Sequence, residues 1–292
     1  MSSVLSVNPM QTTNALGAFH TQSDGFIQGV AMDDPAARYA LASGTLASTE
    51  SRPMWGGIAV DEFLPGVSSA PRGTTIKRAT LVAQMVGLSV FNQAHNGLTS
   101  PQSPVPLYLS NMSVSFYRFG SGMRVPVKAS DALINLGSSQ AGMSSSQPVV
   151  WNFATDSLDV FSTVADDVAT TAITWTAPSG NVAGFATATT ASAHNLAVGA
   201  YVTISDAVPA AYNGTVQVLS VPSATSFTFT PVSVPAGAAT TQGTVGAADK
   251  AAVALPVKII EMQKGNSKTV SYDPATGFAT WIENGNVALI LL

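Results

Sequence analysis

Four short runs in the second half of the chain, residues 185–189, 201–204, 214–221 and 226–230, are rich in Val, Thr, Phe and Tyr, and turn residues separate them. Their recurrence at intervals of about ten residues is the pattern of a small antiparallel sandwich. Nothing comparable points to helices. The one helical candidate is residues 33–42, with Asp34 as N-cap and Pro35 at the first helical position. It allows two turns at most, so the pattern predicts an all-β chain.

Composition agrees. Only 10% of the 292 residues are charged while 46% are hydrophobic, against about a quarter charged in an ordinary soluble chain. A coiled coil or exposed bundle needs charged outer faces, and a disordered chain needs high charge with few apolar residues. The absence of cysteine removes disulfides, thiolate metal sites and thiol catalysis. The longest apolar run, residues 287–292, is far shorter than the roughly 18 residues of a spanning helix. No secretory signal is visible over residues 1–14.

Charge is unevenly placed. From Ala129 to Asp249 there is no Lys or Arg but there are seven acids, and the flanks carry all 12 basic residues and a net charge of +3. That is too little clustered positive charge for a nucleic-acid footprint. It marks two regions of different character. Residues 1–54 read as an extended N-terminal arm with Phe19, Phe26, Ile27, Tyr39 and Leu41 as candidate assembly contacts. Residues 55–164 read as the first part of a β-rich sandwich or barrel body. Its strands are expected at 57–63, 79–90, 112–119 and 124–128, the last at a sheet edge because Pro126 cannot donate to a ladder, and a Ser/Gly/Gln loop over 138–146 precedes the apolar run 149–153. The prolines at 101, 104 and 106 predict an extended loop. Residues 165–249 read as an inserted β-sandwich. Residues 250–292 read as the completing strands, a three-strand meander with turns at 273–277 and 283–286. The apolar end makes Leu289 and Leu291 further candidate contacts, because an open strand of this composition would aggregate.

Catalytic patterns are missing. His20, His95 and His194 lie 75 and 99 residues apart, with no second histidine at ligand spacing. Neither G-x-S-x-G, G-x-G-x-x-G nor a P-loop occurs. Asp61-Glu62 and Asp166-Asp167 are neighbours in sequence, and adjacent strand residues point to opposite faces. Asp156, Asp159, Asp166 and Asp167 fit no calcium loop and read as a solvated acidic stretch. The four tryptophans are single and scattered, as in a core rather than a sugar platform. The expectation is a protein without catalytic residues, cofactor or metal.

Two stretches carry a resemblance. His194-Asn195-Leu196 through Gly199 and Val202 to Ile204, then Tyr212-Asn213-Gly214-Thr215, then Ser226-Phe227-Thr228-Phe229, reads H-x-L-x-x-G-x-x-V-x-I, Y-N-G-T, x-F-T-F. It resembles the Ig-like modules inserted into bacteriophage virion proteins. Residues 270–277, through Trp281 to the apolar end, are similar to the ending of phage head decoration (cement) proteins. The resemblance spans about a third of the chain. It implies a capsid decoration protein on the virion surface, made in the cytoplasm of a bacterial host. It further implies that the protein contacts the major capsid protein and itself, as a homotrimer, and engages neither nucleic acid nor membrane. The module would allow weak contact with host-surface glycans. A tail or baseplate component, or a glycan-binding adhesin, is the alternative. The resemblance brings no catalytic or metal motif, and it supports a structural role for His194 at a turn.

Overall fold

The computed structural model describes residues 25–30, 37–64, 73–91, 98–100, 102–139, 144–179 and 182–292. It is an all-β protein. The described strands are, in chain order, β1 (Leu41–Leu46), β2 (Ala59–Phe63), β3 (Thr75–Arg78), β4 (Gly87–Val90), β5 (Leu98–Ser100), β6 (Ser103–Leu107), β7 (Ser113–Arg118) and β8 (Arg124–Lys128). Then come β9 (Val150–Asn152), β10 (Ser157–Asp159), β11 (Val168–Thr176), β12 (Phe185–Thr190), β13 (Tyr201–Ser205), β14 (Gly214–Ser223), β15 (Ser226–Phe229) and β16 (Thr244–Ala247). Two long strands, β17 (Lys258–Asp273) and β18 (Phe278–Leu291), end the chain. The α-helical pieces are α1 (Ala37–Ala40), α2 (Asp131–Ser139) and α3 (Lys250–Val253).

The chain forms two compact units. The first comprises residues 1–79, 85–147 and 256–292, and the second comprises residues 80–84 and 148–255. In the first, β1-β3-β2-β4-β7 close into a barrel, β17-β18-β8 form a three-stranded sheet, and β5 pairs with β6. Leu46, Trp55, Ile58, Val60, Ile76, Val105, Val114 and Phe116 share one buried core with Val270 of β17 and Ala279 of β18. The strands at both ends of the sequence thus complete the body.

In the second unit the order β11-β12-β15-β14-β13-β16 closes on itself. Its core is Ile173, Val202, Ile204, Tyr212, Val216, Val218, Phe227, Phe229 and Val245 with small alanines between them. Several residues of the resembling motifs have a local structural task. The His194 ring accepts the Leu196 backbone N–H at Nδ1 (3.0 Å) and sets its edge on Phe227, centroids 5.4 Å apart. Gly199 lies at φ +89, and a Cβ there would sit 2.3 Å from the Asn152 side chain. The Asn213 side chain holds both backbone groups of Ala207, each at 2.9 Å. The Tyr212 hydroxyl donates to the Gly237 carbonyl.

Several expectations need correction. The barrel begins inside residues 1–54: β1 pairs antiparallel with β7 and parallel with β3, and Met54 is buried. Leu-Ala-Ser-Gly-Thr-Leu has little strand character of its own, and its place comes from the two strands it joins. Of the helix expected over 33–42, residues 33–36, with its proposed cap, lie outside the described residues, Ala37–Ala40 form α1, and Leu41 and Ala42 are strand. The run 79–90 is broken by a 3-10 turn at Val82–Gln84, because Gln84 Oε1 accepts from the Thr80 and Leu81 N–H groups and the Thr80 hydroxyl. The proline-rich stretch holds β6, whose prolines 104 and 106 alternate with buried Ser103, Val105 and Leu107. No turn forms at 283–286. β18 runs through it, and register shifts in β17 between Gln263 and Thr269 absorb the extra residues. The meander is therefore a two-stranded hairpin, with β8 as the third strand. The second unit also extends beyond 165–249 at both ends. The Tyr201 hydroxyl and Gln217 Nε2 both donate to the Trp151 carbonyl, and Gln217 Oε1 accepts the Phe153 N–H, tying β9 to the closed sheet.

Candidate assembly surface

The expected contact residues are scattered. Phe19 lies outside the described residues. Tyr39, on α1, is 95% exposed, whereas Leu41 pairs with Tyr117 inside the barrel wall. Leu289 is 4% exposed, and β18 holds it between Glu261 of β17 and Pro126 of β8. Leu291 is half-buried and pairs with Lys258 and Arg124. The apolar end is thus covered on both edges by its own body. Pro126 accounts for β8 being the sheet edge, as its sequence predicts.

Phe26 and Ile27 do come together with other elements. They open a short docked segment, Phe26 to Val30, that makes parallel bridges from Ile27 to Lys268 and from Val30 to Phe91. Gln28 N–H donates to the Lys268 carbonyl (2.9 Å), and Lys268 N–H donates to the Phe26 carbonyl (2.8 Å). Gly29 N–H donates to the Pro126 carbonyl (2.8 Å), and its own carbonyl accepts from Phe91 N–H (2.8 Å). Phe26 N–H reaches the Ser267 hydroxyl at 3.0 Å. The segment therefore joins the outer edge of β17, the free edge of β8 and the residue after β4.

The Gln28 side chain locks it. Its Oε1 accepts the Val270 N–H at 3.0 Å and its Nε2 donates to the Gly56 carbonyl at 3.3 Å, while the residue is 1% exposed. A buried amide with both ends bonded is the arrangement that makes its burial tolerable. Below it the backbones cross. Gly29 sits at φ +74, and a Cβ there would lie 2.2 Å from the Gly56 carbonyl carbon. Gly56 in turn has Gly29 Cα and the Phe91 ring at its own missing Cβ. The pair Gly56-Gly57, with no phosphate-cradle spacing, is a backbone crossing point. Gln28, Gly29 and Gly56 carry no motif; the only sequence signal was two apolar residues ahead of a glycine in an otherwise polar stretch.

Beside this cradle is a polar-aromatic cluster. The Arg78 guanidinium lies over the Trp55 ring at 4.7 Å and donates to the Pro53 carbonyl, and Trp55 and Tyr272 are 5.3 Å apart. Glu50 accepts the backbone N–H groups of Arg52 and Arg78. Burial pushes the Tyr272 phenol up, against the pull of Arg78 and Arg52. On the barrel wall Arg118 grips Glu62 through two nitrogens and holds its carboxyl below the usual range. Burial raises neighbouring Asp61, and Lys77 opposes it.

Exposed apolar side chains mark both units. Ile260, Phe278 and Ile282 lie on the hairpin of the first, and Val208, Val232 and Val234 on loops of the second. Among the described residues no group of three or more His, Cys, Asp or Glu is placed to hold a metal ion. His20 and His95 lie outside the described residues. No helix among the described residues is long and apolar enough to cross a membrane. The fold defines an all-β protein of two closed strand units. Comparison with family models, with curated proteins and with solved structures found no match.

Proposed function

We propose that this chain is a structural protein of a bacteriophage virion, a decoration protein that binds the outer surface of the head and bridges capsid subunits. In this reading residues 148–255 are an Ig-like module carried by the body, and the protein acts as a homotrimer. What supports the reading is that the three motifs of the Ig-like resemblance, 194–204, 212–215 and 226–229, fall within one closed strand unit, while the stretch similar to the ending of decoration proteins, 270–292, belongs to the first unit. Within the second unit His194, Gly199, Asn213 and Phe227 shape the turns and core. A chain with 10% charge and exposed valines on its loops suits a surface that is desolvated against neighbours, because burying charge is costly.

The test is addition of purified protein to undecorated phage shells, followed by cosedimentation and thermal disruption. Saturable binding with a raised disruption temperature supports a decoration role. Recovery only in tail particles, or binding to host cells without shells, rejects it.

A further inference from the structure

We propose that the segment Phe26 to Val30 is a guard for two sheet edges: docked on its own body it caps β17 and β8, and undocked it leaves them open to pairing between copies of this chain. The inference goes beyond the reading as a decoration protein and does not depend on it.

In the order β17-β18-β8 the outer strands are β17 and β8, and among the described residues no further strand of the sheet stands outside either. One short segment reaches both. On β17 it takes the Lys268 N–H and carbonyl by backbone bonds, the Ser267 hydroxyl by the Phe26 N–H and the Val270 N–H by the Gln28 amide. On β8 it takes the Pro126 carbonyl by the Gly29 N–H. The parallel bridge from Ile27 to Lys268 shows that this stretch of edge accepts an extended strand. Left open, such groups are a template for a strand from another molecule.

The covered stretch is the part of the edge that other devices leave unprotected. Register shifts interrupt β17 between Gln263 and Thr269, and bulges of this kind discourage pairing. From Thr269 to Asp273 the register with β18 is unbroken. Ser267, Thr269 and Val270, at 0%, 1% and 3% exposure, lie where that regular strand begins. On β8, Pro126 has no N–H to offer but keeps its carbonyl. Bulges and proline blunt part of each edge, and the segment covers groups that they leave.

The guard is built to open ahead of the body. Its hold is mainly hydrogen bonds, since Phe26, Ile27 and Val30 are only half-buried and none belongs to the core of Leu46, Trp55, Val60 and Phe116. A segment with so little apolar burial opens at lower free energy than the strands it covers. Its fit is also easily broken, because a Cβ at Gly29 would lie 2.2 Å from the Gly56 carbonyl carbon.

The test is full-length Gly29→Val, followed by amide hydrogen exchange and sedimentation velocity. Protection at Lys268, Val270 and Phe91 should fall on the order of tenfold or more, while Val60 and Val114 in the barrel stay protected. The variant should associate beyond the wild-type size as its concentration rises. A synthetic peptide of residues 25–30, added in excess, should reverse the association by refilling the edges. Deprotection at wild-type size overturns the guard, as does protection unchanged by the substitution or association that the peptide leaves in place. If Gly29→Val loses the barrel protection as well, Gln28→Ala decides by the same readouts. Partial deprotection with association beyond wild type upholds the guard in that variant, and any other result overturns it.

Discussion

The side-chain oxygen of Gln28 accepts the backbone N–H of Val270 at 3.0 Å, joining residues 242 positions apart. The same amide donates to Gly56, so one side chain ties the start of the chain to β17 and to the turn before β2. Gln28→Ala leaves a buried donor and a buried acceptor unpaired. The expected loss is about 1–3 kcal/mol. It should appear as a lower denaturant midpoint with an unchanged slope. A variant as stable as wild type would mean that the segment does not occupy its cradle in solution.

The strands of residues 185–229 were legible because apolar alternation and turn residues coincide there. β11 and β16 were not, since Val-Ala-Thr-Thr-Ala-Ile-Thr-Trp-Thr and Thr-Val-Gly-Ala are dominated by small or polar residues whose placement comes from their partners, β12, β13 and each other. The turn signal at Asn284-Gly285 misled for a related reason. Gly285 is buried because Thr269 packs where its side chain would be, so the glycine serves a close strand approach. The Gln28 cradle left no motif, because its partners, Gly56, Phe91, Pro126 and residues 267–270, lie in four separate parts of the chain. Low charge and the lack of catalytic spacings were plain; the docking of residues 26–30 was not.

The second unit should be removable. Ile259 N–H donates to the Ser145 carbonyl at 3.0 Å, so the chain leaves and re-enters the first unit at neighbouring points. Replacing residues 148–255 by a short Gly-Ser linker should leave a folded body with cooperative unfolding and a strand-type circular dichroism spectrum. Cutting at 164 and 251 instead should do worse, because it leaves Val150 without Tyr201, its partner in a buried cluster, and the Trp151 carbonyl without the Tyr201 hydroxyl. Equal behaviour of the two deletions would place the boundary elsewhere.

Tyr201 supplies a pH signature for that unit. Burial pushes its phenol well above the ordinary value of 10.0, with Asp159 adding to the shift. A group raised on folding contributes stability that is complete below its unfolded value and is lost as pH rises above it. Amide exchange at Val202, Val216 and Val218 should therefore accelerate, beyond its intrinsic pH dependence, as pH rises above about 10. Tyr201→Phe should flatten that excess. Its cost at neutral pH should be about 1 kcal/mol or less, since the Trp151 carbonyl keeps the Gln217 amide as donor.

His194→Leu tests whether the histidine of the first motif is structural. The change keeps apolar bulk near Phe227 but removes the acceptor of the Leu196 N–H, a backbone group buried with it. The expected loss is about 1–3 kcal/mol, confined to the second unit. His194→Asn, which carries an acceptor near the position of Nδ1, should recover part of it. Exchange rates at Leu196 and across β13 report both effects.

The C-terminal strand separates two leucines that the sequence treats alike. Leu289 is enclosed between β17 and β8, whereas Leu291 is half-buried beside Lys258 and Arg124. A lysine at 289 must bury its ammonium or pull the strand out of the sheet, on top of the lost leucine contacts. Leu289→Lys should therefore cost at least the roughly 2–5 kcal/mol of a large-to-small core change. At 291 a lysine can lay its methylenes along the sheet and hold its charge in water. It also adds a third positive charge beside Lys258 and Arg124, so it should still destabilise, by less than half as much. Urea unfolding of the two variants decides the order. The reverse order, or equal and small effects, would show that β18 is not held between two strands at its end, and the burial of Leu289 would lose its meaning for both folding and assembly.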